Sequence, residues 1–553
     1  MVADTMAEEF DAFPTLDADD IALVAEVGST RRVEAGDYLY REGDSRYDFF
    51  VLVSAEVDIV VQTDATETLI THHGPGRFLG ELNMLSGLRV FVSARVTQAG
   101  EVIALDRERL QQLMATRPQL GDTILMAFIA RRQILMTGAA PAIRAIGSQF
   151  SPGSLQIREF LSRTRVPHEW LDPDRDDQVE GILREFGIAP GDLPVVIAAG
   201  AVLRNPTPGE LSSFLGLTIE SLPERCFDLV VVGGGPAGLA AAVYGASEGL
   251  RTLGVESTAP GGQAGASSRI ENYLGFPMGI SGADLTQRAV VQAEKFGAKL
   301  TVPCVAQSLR NQAGHLVVRL SDGSDVAGRA VIAATGAAYR RLDASHLADF
   351  EGNSVFYAAT EMEARLCGQT PVVIVGGGNS AGQAAIFLSQ GGCHVTVVIR
   401  ASALEKSMSR YLVERIEASD RIAVRAETVV VALEGDESLR RLRLKGPDGE
   451  SAVECAGLFS FIGADPSSGW LSGCAALDDS GFVLTDLSVT EEHLTEAWSA
   501  LGRRPLPFET SHPGLFAVGD LRSGSMKRVA SAVGEGSAAV RSVHEYLAFA
   551  NTD

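Results

Sequence analysis

Two glycine-rich segments carry the spacing that could do chemistry. The first, FDLVVVGGGPAGLAAAVYGASEG, places Gly233-x-Gly235-x-x-Gly238 between an apolar strand and a helix, and Glu256 closes the next strand. In this pattern the glycines allow a tight turn, close approach of a pyrophosphate and helix–strand packing, while the acidic residue accepts ribose hydrogen bonds. The helix N-terminus faces the phosphate charge. The predicted dinucleotide contacts are Gly233, Gly235, Pro236, Ala237, Gly238 and Glu256.

The second segment, PVVIVGGGNSAGQAAIFLSQGG, repeats the arrangement about 140 residues later. The strand after it, HVTVVIR, ends in Arg400 where the first unit has an acid. An arginine there suits a 2′-phosphate, which favours NADPH and leaves NADH as the alternative. The competing interpretation of Arg400 is a solvated strand end. The predicted contacts are Gly376, Gly378, Asn379, Ser380, Ala381, Arg400 and Lys406.

Length and charge limit the classes to which this protein can belong. The chain has 553 residues and a formal net charge of −23, which at roughly 150 residues per domain predicts three or four domains. Because this charge repels phosphate backbones and anionic lipid, nucleic acid and membrane surfaces are poor partners. The acidic N-terminus has no apolar core of a signal peptide, so we expect a cytoplasmic protein.

The six cysteines show no pair in CxxC spacing. Neither a disulfide framework nor a zinc ribbon is therefore indicated, and no metal site is predicted. Most of these cysteines are expected to be small buried apolar residues. They are Cys226, Cys304, Cys367, Cys393, Cys455 and Cys474.

The elements that must position these motifs fall into successive regions. Short strands broken by glycine over about residues 30–110 predict a β-barrel or sandwich, followed by a helical stretch over 106–135. Residues 138–220 alternate strands and helices as βαβαβα, which indicates a small open α/β domain. From residue 227 onward, two strand–glycine–helix units predict one Rossmann-type unit inserted within another. The fold class is thus multidomain, β-barrel followed by α/β domains.

Residues 227–550 resemble the thioredoxin reductases in the order and spacing of GGGPAGLAAA, GGQAGASSRIENYLGFP, Thr335-Gly336, GGGNSAGQAA and GLFAVGD. The resemblance implies an FAD domain at 227–338 with 470–553, an NAD(P)H domain at 339–469, hydride transfer from nicotinamide to flavin, and a homodimer. It also implies further flavin contacts. These are Gly262, Gln263, Asn272, Thr335, Gly336, Gly519, Asp520, Lys527, Arg528 and Val529.

The departure from that family lies in SVFYAATEMEA, residues 354–364. Where such reductases have a C-A-T-C stretch, this chain has Ala358-Ala359-Thr360-Glu361. A thiolate attacks and relays in disulfide chemistry, and neither alanine nor glutamate replaces it. Glu361 is a candidate catalytic residue that would tune the flavin or shuttle a proton; a solvated or capping glutamate is the alternative.

The two N-terminal regions resemble families that have also lost a chemical group. Residues 1–137 resemble a cyclic-nucleotide-binding domain, with Gly80-Glu81-Leu82 in its ribose–phosphate loop, but Val92 stands where the phosphate-binding arginine belongs. Arg89 or Arg95 is the candidate replacement. Residues 138–220 resemble a glutaredoxin or thioredoxin domain with Leu193-Pro194 in its cis-proline loop and Ser151-Pro152-Gly153-Ser154 in place of C-P-x-C.

The sequence therefore predicts an NAD(P)H-dependent FAD oxidoreductase whose electrons pass to something other than an internal disulfide. The acceptor would be a redox protein, a quinone or similar small molecule, or dioxygen. One alternative is a regulatory flavoprotein that senses the nucleotides. The other is a disulfide reductase that uses a cysteine outside a CxxC pair, such as Cys367.

Overall fold

The structure is a computed structural model that describes residues 11–550 apart from 64–65, 81, 87–88, 138–142, 149–150, 165, 174, 177–178, 199–200, 219–225, 266, 268, 271, 352–353, 358, 360–362, 365–366 and 437. The helices, in chain order, are α1 (Ala18–Val27), α2 (Asn83–Ser86), α3 (Arg107–Thr116), α4 (Pro118–Thr137), α5 (Pro152–Arg163), α6 (Val179–Glu185), α7 (Pro208–Leu215), α8 (Pro236–Ser247), α9 (Gly262–Gly265), α10 (Gly282–Lys295), α11 (Leu347–Phe350), α12 (Asn379–Gln390), α13 (Arg410–Glu417), α14 (Glu496–Leu501) and α15 (Val529–Ala550).

The strands, in chain order, are β1 (Ser29–Val33), β2 (Tyr38–Tyr40), β3 (Phe49–Leu52), β4 (Glu56–Thr63), β5 (Thr66–His73), β6 (Phe78–Leu79), β7 (Ser93–Gln98), β8 (Gly100–Leu105), β9 (Ile143–Ile146), β10 (Glu169–Leu171), β11 (Val195–Ala198), β12 (Ala201–Arg204), β13 (Cys226–Val232), β14 (Thr252–Val255), β15 (Lys299–Thr301), β16 (Ala306–Gln312), β17 (His315–Leu320), β18 (Asp325–Ala333), β19 (Ala337–Tyr339), β20 (Val355–Phe356), β21 (Pro371–Val375), β22 (His394–Val398), β23 (Ile422–Arg425), β24 (Val429–Gly435), β25 (Leu439–Gly446), β26 (Gly449–Glu454), β27 (Gly457–Ser460), β28 (Ala464–Pro466) and β29 (Leu515–Ala517).

The N-terminal domain is built from two four-stranded antiparallel sheets, in the orders β1-β8-β3-β6 and β2-β7-β4-β5. Apolar side chains from both sheets share one core, as a β-sandwich requires. The alternating stretch DFFVLVSAEVDIVV predicts one strand, whereas the structure separates it into β3 and β4 of different sheets. The predicted helical stretch is likewise two helices, α3 and α4, because Pro118 begins a new helix rather than continuing the old one.

The second domain carries a four-stranded sheet in the order β10-β9-β11-β12. Strands β9 and β10 are parallel, and β11 runs antiparallel to both β9 and β12. The predicted βαβαβα order was wrong in one respect, since β12 pairs with β11 as an additional strand before α7. Its residues are only half-buried or exposed at the sheet edge, so they carried too weak an apolar pattern to be recognised.

Each glycine motif follows a strand of its own sheet, one mixed and one fully parallel. Strands β15, β14, β13, β18 and β29 run parallel and in that order, with β16 and β17 added as antiparallel strands beside β18. The other sheet has the fully parallel order β20-β27-β21-β22-β23. Both place the strand before the glycine turn at the centre, which is the arrangement of a nucleotide-binding α/β unit.

The domains also pack against each other. Val291 of α10 belongs to the same apolar cluster as Leu110, Leu113 and Phe128 from the helices of the N-terminal domain. Val302 joins the core of the second domain, and its amide donates to Leu217 O over 3.1 Å. Within the described residues, no helix has the length and apolar character to span a membrane.

Candidate functional site

The first glycine turn joins β13 to α8 so closely that side chains would clash. Gly233 has φ of +111°, and a Cβ there would lie 2.3 Å from Ala334 O. A Cβ on Gly238 would lie 1.8 Å from Gly233 O. Both positions therefore require glycine for packing between the turn, the helix and the neighbouring strand. The predicted motif is thus built as a tight strand–turn–helix.

Glu256 is tied directly to this turn. Its Oε2 accepts a hydrogen bond from the Gly234 amide at 2.6 Å. Its Oε1 accepts from Ser257 Oγ and from the Thr258 amide, each at 3.0 Å. The carboxylate is therefore fixed at the end of β14 beside the N-terminus of α8, where Gly235 is the N-cap and Pro236 is the first helical residue. Because a helix N-terminus favours negative charge, the surface in front of this turn suits a phosphate.

The segment around α9 closes onto the same turn. The Gly261 amide donates to Gly234 O at 2.7 Å, and a Cβ on Gly262 would come within 2.9 Å of Gly235 Cα. The side-chain amide of Gln263 donates to Ala337 O. Glycine at 262 thus lets two backbone segments approach closely, and it brings predicted flavin contacts from separate parts of the chain together.

Thr335 and Gly336 lie at the end of β18, where the first unit passes into the second. Thr335 Oγ1 donates to Ser467 O at 2.8 Å, and Gly336 O accepts from the Ser467 amide at 2.9 Å. Trp470 Nε1 lies 3.4 Å from Thr335 Oγ1. Ser467 and Trp470 were not recognised from the sequence. They contact Thr335, which lies about 130 residues earlier, and such contacts between distant segments leave no local sequence pattern.

The C-terminal segment returns to the same edge through β29. A Cβ on Gly519 would lie 3.0 Å from the Ala237 side chain, and its amide donates to Glu535 Oε2 at 2.8 Å. Asp520 is half-buried. Burial raises the pKa of Asp520, and the charge of Lys527 opposes this shift. Among the described residues no hydrogen-bond donor reaches the Asp520 carboxylate, which leaves it able to accept from a ligand hydroxyl.

The remaining predicted contacts lie at the surface or outside the described residues. Lys527 Nζ lies 4.9 Å from the centre of the Phe482 ring, Arg528 is exposed, and Val529 begins α15. Asn272 is exposed in a bend. Glu361, the candidate catalytic residue, lies outside the described residues, and its role stays a prediction.

The second glycine turn has the same construction. Gly376 has φ of +145°, and a Cβ there would lie 2.4 Å from Phe461 O. Gly378 caps α12, and a Cβ on it would meet no atom within 4 Å. The space in front of this helix is therefore open for a phosphate. At the start of α12, Ser380 is exposed and Ala381 is buried.

Hydrogen bonds hold the loop after β22 against this turn. Asn379 Oδ1 accepts from the Ser409 amide at 2.7 Å, and Ser407 Oγ donates to Gly377 O at 2.9 Å. Arg400 and Lys406 lie in this loop and are exposed. The two serines were missed at the sequence level. They hold the backbone of this loop against the glycine turn and the start of α12.

The family model for pyridine nucleotide-disulphide oxidoreductases matches residues 227–536, more than half of the chain. The chain belongs to this family. This oxidoreductase is thus an NAD(P)H-dependent flavin oxidoreductase. A second model, for the cyclic nucleotide-binding domain, matches residues 30–117.

Two curated relatives of the oxidoreductase are thioredoxin reductases. The one from Treponema pallidum (strain Nichols) is 32% identical over 327 residues, covering 59% of this chain and 98% of the relative. The one from Mycolicibacterium smegmatis is 33% identical over 331 residues, covering 59% and 99%. Solved thioredoxin reductases from Lactococcus lactis (FR conformation) and T. acidophilum share 25% and 27% identity with TM-scores of 0.52 and 0.51, each covering 58% of this chain and 99% of the other.

Four of the six cysteines of the oxidoreductase are buried, unlike a redox thiol. Cys304, Cys367, Cys393 and Cys455 are buried, as the sequence predicted for most of them. Burial raises the pKa of Cys367 to about 12, with Cys393 and Glu363 adding to the shift. A reactive cysteine needs a low pKa and access. Among the described residues no cluster of histidine, cysteine and acidic groups is suited to hold a metal ion.

In the N-terminal domain of the oxidoreductase, the predicted nucleotide contacts separate. Gly80 lines a partly open pocket, Leu82 is buried in a neighbouring apolar cluster, and Glu81 lies outside the described residues. Arg89 turns away, since its Nη1 donates to Gly43 O at 3.1 Å and its guanidinium lies 5.7 Å from the Phe214 ring of the second domain. Arg95 pairs with Glu67 at 2.7 Å.

Proposed function

We propose that this chain binds FAD at the turn after β13 and NADPH at the turn after β21, and that reducing equivalents leave to an acceptor other than an internal CxxC disulfide. NADH is the alternative donor. When bound, the flavin supplies hydride acceptance and its onward transfer. The residues of the chain supply binding, orientation and electrostatics.

The observation that carries this proposal is the pair of glycine turns, each set against a helix N-terminus with a polar group held beside it. At the first turn, Glu256 already accepts three hydrogen bonds and would accept from a ribose hydroxyl. At the second, Arg400 and Lys406 are exposed in the loop that Ser407 ties to Gly377 O. A cationic pair there favours a 2′-phosphate.

The order of the strands supports the predicted division into an outer FAD unit and an inner NADPH unit. In chain order, β29 follows every strand of the second sheet, and it pairs with β18 of the outer sheet. The chain leaves and re-enters the outer unit through β19 and β28, which pair with each other. A homodimer stays a prediction from the family resemblance.

The choice of acceptor follows from the cysteines. Residues 358–361 contain no thiol, and the nearby Cys367 is buried with a raised pKa. This opposes the alternative of a disulfide reductase that uses Cys367. A redox protein, a quinone-like molecule or dioxygen is then the acceptor class to test, and Glu361 is the residue we propose near the flavin.

The test is anaerobic stopped-flow mixing of the purified full chain with NADPH, and separately with NADH, while the flavin absorbance near ~450 nm is followed. Rapid bleaching supports the oxidoreductase proposal and measures the nucleotide preference. A chain that contains flavin but stays oxidised with both donors contradicts it. A chain that retains no flavin contradicts the first site.

A second candidate function, a regulatory flavoprotein, is favoured by the position of α10. Near its N-terminus, a Cβ on Gly282 would lie 1.7 Å from Ala264 O, in the segment that closes the first turn. At its other end, Glu294 O accepts from Gln111 of α3 at 3.3 Å. One helix therefore touches both the proposed flavin segment and the N-terminal domain. Slow NADPH oxidation with every acceptor tried would support this function.

For the second domain we propose that it docks a partner or packs against the other domains. Its sheet order and the Leu193-Pro194 loop agree with the predicted resemblance, and its residues 151–154 contain no cysteine. Arg163 Nη2 donates to Gly262 O at 3.3 Å. This domain therefore contacts the segment that carries the proposed flavin contacts, without supplying dithiol chemistry.

A further inference from the structure

Glu535 lies on α15, and its carboxylate holds the loop that carries Asp520. Its Oε2 accepts hydrogen bonds from the Gly519 amide at 2.8 Å and from Arg522 Nε at 3.1 Å. Its Oε1 accepts from Arg522 Nη2 and from Ser525 Oγ, each at 2.8 Å. One carboxylate therefore fixes the chain immediately before Asp520 and again two residues after it.

The pair formed by Glu535 and Arg522 is largely shielded from water. The two side chains are 11% and 18% exposed, and the hydrogen bonds to Glu535 raise the pKa of Arg522. A bidentate arginine–carboxylate contact has a defined geometry, and burial reduces its screening by salt. Without the Glu535 carboxylate, shielded donors of the loop would lose their acceptor, which is costly. The pair therefore restricts the positions that the loop backbone can take.

The helix α15 also fits closely against the first turn of α8. A Cβ on Gly536, the residue after Glu535, would lie 2.0 Å from Ala237 O. On the loop side, a Cβ on Gly519 would lie 3.0 Å from the Ala237 side chain. These two glycines let α15 and the loop both approach the helix N-terminus at which the pyrophosphate is proposed to bind. A displacement of the loop would therefore move Asp520 relative to the proposed phosphate site.

The Asp520 carboxylate takes no part in these contacts. It is half-buried, and among the residues that the structure describes no donor bonds to it. Its position therefore depends on the backbone that carries it. We infer that Glu535, together with Arg522, is a positioning residue for the flavin, because it holds the Asp520 carboxylate where a ribitol or ribose hydroxyl of FAD can donate to it. This inference rests on the proposed function.

The experiment titrates the full chain, after removal of its flavin, with FAD and follows the quenching of flavin fluorescence to obtain the Kd. Glu535→Gln keeps the size of the side chain but removes its charge. We expect it to weaken FAD binding about tenfold, the loss of one charge-assisted hydrogen bond. Asp520→Ala should weaken FAD binding by at least that factor. Because Glu535 acts through Asp520, the double variant should bind FAD within about twofold of Asp520→Ala alone.

Glu509→Gln is the matched control. The Glu509 side chain is fully buried, and its carboxylate accepts from Arg503 Nη1 at 2.6 Å and from the Gly514 amide at 2.9 Å. It thus has an arginine partner and a glycine amide, as Glu535 does, but these belong to a segment before Asp520 and its loop. Glu509→Gln should lower the unfolding temperature and change FAD affinity by less than about twofold, additively with Asp520→Ala.

Arg522→Lys is a milder variant that keeps the positive charge but cannot form the bidentate contact. It should weaken FAD binding about threefold, with no further loss in the Asp520→Ala background. If Glu535→Gln does not fold, Arg522→Lys decides the question.

Unchanged FAD affinity in a folded Glu535→Gln variant would overturn the inference and leave the proposed FAD site standing. Effects of Glu535→Gln and Asp520→Ala that simply add would overturn it as well, and so would normal FAD affinity in Asp520→Ala. A wild-type chain that does not bind FAD would instead refute the proposed function, and this inference with it.

Discussion

We predict that Glu294, at the contact between the N-terminal domain and the first dinucleotide unit, makes the stability of the chain dependent on pH. Its side chain lies on α10 and is only 7% exposed. Burial raises the pKa of Glu294 from 4.5 to about 7, although the charges of Arg107 on α3 and Arg132 on α4 oppose the shift. Nearby at the same interface, Lys295 Nζ lies 3.3 Å from Asp122 Oδ1. We predict that substitution Glu294→Gln removes this pH dependence.

The direction of the pH effect on stability depends on whether the folded or the unfolded chain binds the Glu294 proton more tightly. Between pH 4.5 and about 7 the folded chain keeps the Glu294 proton and the unfolded chain loses it, so the free energy of unfolding falls as pH rises. Below this pH range Glu294 does not change the pH dependence of the unfolding free energy. Above it, the stabilisation from the Glu294 proton has been lost completely. At about 1.4 kcal/mol per unit of pKa, the total change is about 3 kcal/mol.

The assay is urea denaturation of wild type and Glu294→Gln between pH 5 and pH 8. The difference in unfolding free energy between them should shift by up to about 3 kcal/mol in favour of the variant as pH rises. Asp122→Asn is the matched control at the same interface. Its ion pair is exposed on the aspartate side, so its effect should stay within about 1 kcal/mol at each pH. Parallel pH profiles for wild type and Glu294→Gln would refute the reasoning.

Three further predictions concern the proposed nucleotide sites and the thiols. Gly238→Ala should give a protein without bound flavin, because its Cβ would lie 1.8 Å from Gly233 O; a normal flavin spectrum after purification would be incompatible with this. Arg400→Ala should weaken NADPH binding about tenfold, the loss of one charge-assisted contact, and leave NADH binding unchanged, as measured by equilibrium titration; equal effects on both would count against a 2′-phosphate contact. Cys367→Ser should leave NADPH oxidation unchanged, since burial raises the pKa of that thiol to about 12; loss of turnover in a folded variant would revive the disulfide mechanism.

The glycine turns could be predicted from the sequence because their requirements are local. A Cβ on Gly233 or Gly376 would clash with backbone atoms that directly follow a neighbouring strand. The strand before each motif and the helix after it can also be recognised in the sequence. The convergence of Gly262 and Thr335 on the first turn followed only from the family resemblance. The spacing of these residues along the chain does not indicate that they meet.

The contacts between domains could not be predicted. Glu294 lies on α10, and the sequence of α10 is that of an amphipathic helix with one solvated face. It is buried where α10 meets the N-terminal domain, whose charged residues Arg107 and Arg132 lie more than 150 residues earlier in the chain. His73 is a similar case, since it is the second of two consecutive histidines at the end of β5 and its position in the sequence gives no sign that it is buried. Strand β12 was missed because an edge strand of four residues has little periodicity.

The place of Val291 in the apolar core of the N-terminal domain has a consequence for biosynthesis. Leu110, Leu113 and Phe128 emerge from the ribosome long before Val291 does. The apolar cluster formed by α3 and α4 therefore lacks its contact with Val291 until α10 has been translated. We therefore expect an N-terminal fragment that ends before α10 to expose the part of this cluster that Val291 covers in the full chain.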